Sequence, residues 1–474
     1  MVQMTGEEAG RLTADDLRLR LGPTPASGVG EWLYLGLRTA VTAGDLGSGT
    51  TLPSSRRIAS ELGLARGTVT GALDRLLAEG LLRSAPRSGI VVTPPAHADP
   101  APRVPTSRQA PISPGTPDPA LFPRTAWSRS FREGLAGLSS AELGYPDVQG
   151  LPWLRSELAA HLHRSRGAVV EPDSIVVVAG VAQGYALMAR ALGVGAVLAV
   201  EDPGSPGSSD VFAQLGMTLA PASVDVEGLQ VDALRDGAAA VVVTPAHQYP
   251  TGVPLAPERR RALAAWARDG RRWIIEDDYD AELRYDRAPV PVVQSLAPDR
   301  TVLAGSISKT LSPALRLGWL VAPPELVGVL VDGKRSSDLG CSVPEQAALA
   351  GFLRSGAYGR HTRRVRSTYR RRRALLVDAV ARVATPSAQP TVLGVPAGLH
   401  VAVELASAEC EQAALTEIRA AARANPVVSS GLAVESLSAG SRSGDRFGLV
   451  IGTARMNETA ATTVAQAIGG ALTS

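Results

Sequence analysis

One lysine lies in a setting where it could do covalent chemistry. The chain of 474 residues carries 48 lysine and arginine side chains, and only Lys309 and Lys334 are lysines. Arginine can replace lysine in ion pairs, but it stays protonated and cannot supply the neutral amine that forms a Schiff base. Lys309 follows an apolar run, residues 301–304, in the hydroxyl-rich segment SISKT at 306–310. It is a candidate covalent residue; the alternative is a surface lysine that escaped the arginine bias.

A second group of candidate residues lies about thirty positions upstream. The apolar run at 273–275 ends in Glu276, Asp277, Asp278 and Tyr279. Ligands in open α/β sheets bind at the carboxyl ends of strands. A carboxylate there can keep a pyridinium nitrogen protonated, and a phenol can hydrogen-bond a ring hydroxyl, which are the groups that tune pyridoxal phosphate. Together with Lys309, these residues predict a site for that cofactor.

The elements that must position these residues are visible as short apolar runs. From about Pro119 onward, β-branched runs alternate with helical stretches; they read SIVVVAG, AVLAVED, AAAVVVT, RWIIEDD and TVLAGS. Continuous short runs of this type are typical of a buried, mainly parallel sheet. The sequence therefore predicts an α/β architecture for this part of the chain.

Residues 30–93 predict a separate small module. One helical stretch ends at Gly44, Ser54 or Ser55 caps a second, and a third runs from Ala65 to Glu79. The sequence LLRSAPRSGIVV that follows predicts a two-stranded wing. A helix, a turn, a recognition helix and a wing form the geometry that reads the major groove of DNA.

These motifs resemble two known families. The stretch TLPSSRRIASELGLARGTVTGALDRLLAEGLL resembles the GntR-type winged helix, while EDDYDAELRY and GSISKTLSPALRLGW resemble the MocR/GabR regulators. The resemblance implies an N-terminal winged helix-turn-helix of α+β type. It further implies an α/β fold-type I aminotransferase-like domain with a mainly parallel sheet and a smaller C-terminal α+β subdomain. We expect a winged helix at 1–93, a Pro-rich linker at 94–118 and an effector domain at 119–474.

The resemblance also assigns residues, position by position. Lys309 would form the Schiff base with pyridoxal 5′-phosphate, Asp277 would pair with the ring nitrogen, and Tyr279 with the ring hydroxyl. The implied cofactor contacts are Asp277, Tyr279, Ser306, Ser308, Lys309, Arg316, Ala182, Gln183 and, from the partner subunit of a dimer, Tyr145. The implied DNA contacts are Arg56, Arg66, Thr68, Thr70, Arg87, Ser88 and Gly89.

Several positions depart from the family patterns. Ala65 stands where a Ser or Thr usually caps the recognition helix. Ser205 stands where most relatives have a Tyr that stacks on the cofactor ring. Tyr249 stands where ordinary aminotransferases have an Asn; the regulators commonly have an aromatic residue there, so Tyr249 favours a regulator over an enzyme. Val450 aligns with the Arg that grips a substrate carboxylate; Arg446 or Arg455 could substitute for it, although neither is in register. The missing clamp argues against ordinary amino-acid turnover.

Bulk features restrict the function classes. The net charge is only +3, so the case for nucleic acid depends on the local motif. The two cysteines, Cys341 and Cys410, give no disulfide framework and no metal-ligand spacing. We find no apolar run long enough for a membrane span and no signal peptide, and we expect a cytoplasmic protein. The arginine-dense stretch 360–373 is either an auxiliary DNA contact or, as we favour, framework.

The sequence therefore predicts a DNA-binding transcriptional regulator rather than an enzyme. It would bind double-stranded DNA as a homodimer, hold pyridoxal phosphate through Lys309 and respond to a small-molecule effector. That effector would be an amino acid, an amine or pyridoxal phosphate itself, with control of vitamin B6 or amino-acid metabolism. One alternative is an active aminotransferase with a fused DNA module. Another is a regulator whose pocket no longer uses the cofactor covalently.

Overall fold

The protein is described by a computed structural model. It describes residues 21, 23–85, 89–93, 113–285, 290–384, 389–442, 444 and 446–473. The chain divides into two compact units, residues 1–108 and 109–474, and each is described by itself.

Within its described residues, the first unit has a bundle of three helices and a pair of antiparallel strands. Its helices are α1 (Val29–Thr42), α2 (Ser55–Leu62) and α3 (Arg66–Ala78), and its antiparallel strands are β1 (Leu82–Ala85) and β2 (Gly89–Val92). Ser54 caps α2 by accepting a hydrogen bond from the backbone N–H of Arg57 at 3.3 Å. Ala65 begins α3 without a side-chain cap. The elements follow the predicted order of helix, turn, recognition helix and wing.

The second unit is built on a large mixed sheet. In the described residues its strand order is β3-β10-β9-β8-β7-β4-β5-β6, and the five strands from β9 to β5 run parallel. Strand β10 pairs antiparallel with both of its neighbours, and β6 pairs antiparallel with β5. The strands are β3 (Ile175–Val178), β4 (Val197–Asp202), β5 (Thr218–Asp225), β6 (Gly228–Leu229), β7 (Ala240–Val243), β8 (Trp273–Asp277), β9 (Thr301–Ser306) and β10 (Gly318–Val321).

Helices cover both faces of this sheet, and a smaller α+β layer follows it. The helices of the large layer are α4 (Arg124–Gly137), α5 (Pro152–Arg166), α6 (Val181–Leu192), α7 (Pro206–Gln214), α8 (Pro257–Asp269), α9 (Pro324–Asp338) and α10 (Val343–Arg354). The long helix α11 (Ala357–Val383) then leads to a four-stranded antiparallel sheet of order β11-β12-β14-β13. The remaining elements are β11 (Thr391–Val392), β12 (His400–Glu404), α12 (Ala408–Ala424), α13 (Pro426–Gly431), β13 (Val434–Ser436), β14 (Gly448–Gly452) and α14 (Glu458–Thr473).

The predicted fold class is confirmed, and each of the five predicted apolar runs contains a strand of the large sheet. They correspond to β3, β4, β7, β8 and β9, and their aliphatic side chains fill the core on both faces of the sheet. Because β8 and β9 are parallel neighbours, with Asp277 paired to Ala304, their carboxyl ends meet at one edge. This register brings the predicted carboxylate and the predicted lysine loop together.

The arginine-dense stretch lies on α11. One face of this helix is buried through Tyr358, Val365 and Tyr369, while Arg363 and Arg370 are exposed. The buried face makes α11 a framework helix that joins the two layers. No helix among the described residues combines the length and apolarity that a membrane crossing needs.

Candidate functional site

The amine of Lys309 is not used in any hydrogen bond or ion pair of the described structure. It lies three residues beyond the end of β9, in a loop in which the N–H of Ser308 donates to Ser306 Oγ at 3.3 Å. Burial lowers the pKa of the amine, although the negative charges of Asp280 and Asp277 act in the opposite direction. Burial thus favours the neutral form, which is the nucleophilic one.

Asp277, at the end of β8, has one carboxylate oxygen that accepts a hydrogen bond and one that does not. Its Oδ2 accepts a hydrogen bond from Tyr185 Oη at 2.5 Å. Its Oδ1 is buried and has no hydrogen-bond partner. Burial raises the pKa of this carboxyl to about 6, whereas the bond from Tyr185 works against that rise. An unpaired buried acceptor calls for a donor from a ligand, and a protonated ring nitrogen is such a donor.

Tyr185 is a functional candidate that sequence reasoning missed. It lies on α6, and its ring packs against Phe212 with centroids 4.9 Å apart. The tyrosine follows the glycine-rich turn at 180–184 directly, but only the packing of α6 against the sheet reveals that its hydroxyl reaches Asp277. It is a positioning residue for that carboxylate.

Tyr279 belongs to a buried hydrogen-bond network. Its hydroxyl donates to the backbone oxygen of His247 at 2.9 Å, so toward a ring hydroxyl it is placed to accept. Nδ1 of His247 lies 2.9 Å from Asp280 Oδ2, and the His247 ring packs against His400 at 5.0 Å. Gly398, at φ +69°, makes this packing possible, because a Cβ there would lie 2.3 Å from Asp280 Oδ2. Burial lowers the pKa of His400 well below its usual value, so this ring is neutral.

The start of α6 and Arg316 meet at one corner of the site, which we call the anion-binding corner after the chemistry that its groups offer. The first N–H groups of the helix, including that of Ala182, have no acceptor within the helix. Arg316 lies against this turn, and its Nη2 donates to Ala179 O at 2.6 Å. A Cβ on Gly180, whose φ is +87°, would lie 3.0 Å from that nitrogen. Helix N–H groups beside a guanidinium are suited to a phosphate.

Gln183 and the second lysine take structural roles beside this corner. The Gln183 side chain accepts from the N–H of Ala179 at 2.8 Å and from Lys334 Nζ at 3.0 Å. Lys334 is fully buried and ion-paired with Asp338 at 2.8 Å. The Gln183 side chain is therefore turned away from the anion-binding corner. Of the two lysines in the chain, only Lys309 has an uncommitted amine.

Residues 113–118, which we call the strap, cross the site directly in front of Lys309. A Cβ on Gly115 would lie 3.3 Å from Lys309 Nζ, so only a residue without a side chain fits there without displacing the amine. The strap is fixed at its end by Asp118, whose N–H donates to Tyr369 Oη and whose carboxylate pairs with Arg372 at 2.9 Å. The contact between Gly115 and Lys309 could not be predicted from the sequence, because it joins residues that are far apart in the chain.

The positions that depart from the family pattern have structural partners of their own. Ser205 is the N-cap of α7 and accepts from the N–H of Ser208 at 3.4 Å. Val450 is buried on β14, and Arg446 is ion-paired with Glu404 at 2.8 Å. Nε of Arg455 is buried without a hydrogen-bond partner. Arg446 is therefore already committed, and Val450 offers no charge to a ligand.

Tyr145 makes no hydrogen bond or ring contact with the other candidate residues in the described part of the subunit. Its side chain is 90 % exposed. It belongs to a loop before α5 that also exposes Leu143. The described contacts of the single subunit therefore do not use the Tyr145 hydroxyl.

In the first unit, two exposed arginines lie on or near the predicted recognition helix α3. Arg56 and Arg66 are exposed and have no hydrogen bond or ion pair in the described residues, whereas Arg57 pairs with Glu61. Thr70 is exposed and donates to the backbone oxygen of Arg66, and Thr68 is half-buried with its methyl group toward α1. Gly89 begins β2 at φ +82°. The predicted contacts Arg87 and Ser88 lie outside the described residues.

Family models match both units. The model described as "Bacterial regulatory proteins, gntR family" matches residues 31–92, and "Aminotransferase class I and II" matches residues 116–430. Among solved structures, the kynurenine aminotransferase of Pyrococcus horikoshii superposes with a TM-score of 0.67 at 22% identity. That superposition covers 76% of this chain and 90% of the other, and it supports the fold alone.

Curated relatives match most of the chain. The pyridoxine biosynthesis transcriptional regulator PdxR of Corynebacterium glutamicum is 37% identical, over 81% of this chain and 85% of its own length. The probable rhizopine catabolism regulatory protein MocR of Rhizobium meliloti is 33% identical, over 73% of this chain and 76% of its own. A winged helix of the gntR family and an aminotransferase domain thus occur in one chain, and named transcriptional regulators match that chain over most of its length. The chain belongs to the MocR/GabR-type family of transcriptional regulators.

Proposed function

We propose that this regulator holds pyridoxal phosphate in the second unit and couples the state of that site to DNA binding by the first. The observation that carries the proposal is that an uncommitted amine, that of Lys309, and an unpartnered carboxylate oxygen, Oδ1 of Asp277, occur at the same edge of the sheet. Pyridoxal phosphate, when bound, supplies an aldehyde that a neutral lysine amine attacks, and a ring nitrogen that acts as an electron sink.

The residues of the chain would divide the work as follows. Asp277 Oδ1 accepts from the protonated ring nitrogen, and Tyr185 keeps that carboxylate oriented and ionised. Lys309 supplies the amine. The phosphate takes the N–H groups at the start of α6 together with Arg316. The loop hydroxyls at 306 and 308 lie at the end of β9, where they complete the phosphate site.

A dimer would complete the site. Tyr145 is exposed in its own subunit, and such exposure of a tyrosine beside Leu143 supports a role in trans. In the proposed assembly Tyr145 hydrogen-bonds the cofactor phosphate of the neighbouring subunit. The dimer would also present two winged helices to the two half-sites of an operator.

The regulated process would be vitamin B6 metabolism. This proposal rests on the 37% identity to a regulator of pyridoxine biosynthesis. An effector that displaces Lys309 or fills the space beside it would change the relative stability of two states with different DNA affinity.

The test is a visible absorption spectrum of the full-length protein with added pyridoxal phosphate, followed by DNA binding of the same sample. We expect a yellow protein that retains the cofactor through dialysis, and a Lys309→Ala variant that loses it. The probe for DNA is the region upstream of the chain's own gene, compared with duplex of scrambled sequence. A protein that stays colourless, or a variant that retains the cofactor equally, would contradict the role of Lys309.

An aminotransferase is the second candidate, and the fold is the observation that favours it. The uncharged Val450 argues against it, because the position that aligns with the carboxylate-binding arginine carries no charge. A panel of amino acids added to the yellow protein separates the two. Release of ketoacid at an enzyme-like rate would support the enzyme, whereas a spectral change without ketoacid would support the regulator.

A further inference from the structure

A cavity of about 360 Å³ lies between the large and the small sheet of the second unit. One wall comes from the loop after β7 and the start of α7, and the other from the small sheet and α12. Among the residues that line it are Pro206, Tyr249, Pro250, Arg419, Glu435 and Val450.

Glu435 is the acidic group of this wall. It lies on β13 directly opposite Val450 of β14, and directly opposed side chains share one face of a sheet. Its Oε2 accepts a hydrogen bond from Tyr249 Oη at 3.3 Å. The side chain is half-buried, and it has no ion-pair partner within the described residues. Burial also raises the pKa of its carboxyl.

No group that lines the cavity forms an ion pair with this carboxylate in the described residues. Val450 is apolar and buried, and Arg419 is exposed on α12 without an ion pair to Glu435. A half-buried carboxylate without a cation is costly, and a cation placed beside it recovers much of that cost. A second carboxylate placed there would instead meet a like charge.

The cavity adjoins the proposed cofactor site. Tyr249 and Gly204 line it, and they also line a smaller cavity bounded by Tyr185 and Glu201. Tyr185 holds the carboxylate of Asp277. A ligand in the larger cavity therefore contacts a wall that it shares with the cofactor pocket.

We propose that this cavity binds the cationic end of a small amine effector, with Glu435 as its counter-ion, and that it discriminates against ligands that place a carboxylate there. The proposal rests on the proposed function, because it concerns the effector of the same site. It names the effector class as amines without a carboxylate beside the nitrogen.

The test uses a pair of probes that differ by one carboxylate. 1-Aminobutane and norvaline each carry a single amine, and only norvaline has a carboxylate on the carbon that bears the nitrogen. Calorimetric titration of the full-length, cofactor-loaded protein should give at least about tenfold tighter binding of 1-aminobutane. Glu435→Gln should weaken the binding of 1-aminobutane by about tenfold and leave the binding of norvaline nearly unchanged, because the isosteric amide removes only the charge. Glu133→Gln, at an exposed position on α4, is the matched control.

The following results would overturn the inference. Norvaline binding as tightly as 1-aminobutane, or no binding of 1-aminobutane at millimolar concentrations, would remove Glu435 as a counter-ion. The comparison on the unmodified protein stands even where Glu435→Gln lowers the melting temperature. A protein that takes up pyridoxal phosphate and binds DNA but prefers norvaline refutes this inference alone. A protein that does neither refutes the proposed function first.

Discussion

Replacing Tyr185 by Phe should change the proton affinity of Asp277 without disturbing the fold. The substitution removes the hydroxyl that donates to Asp277 Oδ2 at 2.5 Å and keeps the ring that packs against Phe212. A hydrogen bond to a charged group contributes about 1.5–3 kcal/mol. Because this bond favours the carboxylate, its loss should raise the pKa of Asp277 from about 6 to about 7 or 8.

The consequence is a cofactor affinity that depends on pH. At pH 7 the ionised fraction of Asp277 should fall from about nine-tenths to about one-half or less. Only the carboxylate keeps the cofactor nitrogen protonated, so the affinity of the variant should fall most below about pH 8 and recover above it. Affinity falls at low pH because Asp277 is an acid: its charged form, which binds the cofactor nitrogen, is present above the pKa and is lost as the pH falls through it.

The assay is an equilibrium titration of the dialysed protein with pyridoxal phosphate at several pH values, followed by absorbance. Tyr34→Phe, which removes a hydroxyl from the first unit, is the control. A loss of affinity that is the same at every pH would indicate a packing defect, and an unchanged affinity would show that Tyr185 does not act through Asp277.

Three further predictions concern other parts of the chain. Gly180→Ala should cost about 1–2 kcal/mol in the free energy of unfolding, because φ is +87° and the new Cβ would press on Arg316; it should also weaken phosphate binding, and melting curves with and without inorganic phosphate measure both. Burial raises the pKa of Glu201 to about 7, so its contribution to the stability of the cofactor-free protein is fully present at low pH and is lost as the pH rises toward and above 7. Glu201→Gln should reduce the pH dependence of the free energy of unfolding, measured in urea, by up to about 3 kcal/mol. An equal pH dependence of the free energy of unfolding in the two proteins would contradict this. Arg66→Ala should lower the slope of log affinity against log salt for mixed-sequence duplex by about 0.9, whereas Arg57→Ala, which removes an ion-paired side chain, should lower it less.

The parts of the site that lie at strand ends could be predicted from the sequence. Asp277 and Lys309 each follow a continuous apolar run, and parallel neighbours in a sheet bring such ends together. The winged helix could be predicted because its elements are local and follow one another without a gap. In both cases the prediction depends on residues that are close together in the sequence.

The remaining parts depend on contacts between distant segments. Tyr185 reaches Asp277 only because α6 packs across the sheet, and Glu435 meets Val450 only through the register of β13 and β14. From the sequence, Ser205 indicated the loss of a stacking ring. That its side chain caps α7 became visible only from the backbone geometry of the turn. No periodicity in the sequence encodes these pairings.

The strap at 113–118 lies at the end of the segment predicted to be the linker from the first unit, and Gly115 lies beside the amine that would bond the cofactor. A group bonded to Lys309 and the strap would therefore compete for the same space. A ligand with more bulk beside Lys309 should push the strap further, whatever its charge. We expect the strength of the transcriptional response to follow the volume of the effector, while its affinity follows the charge.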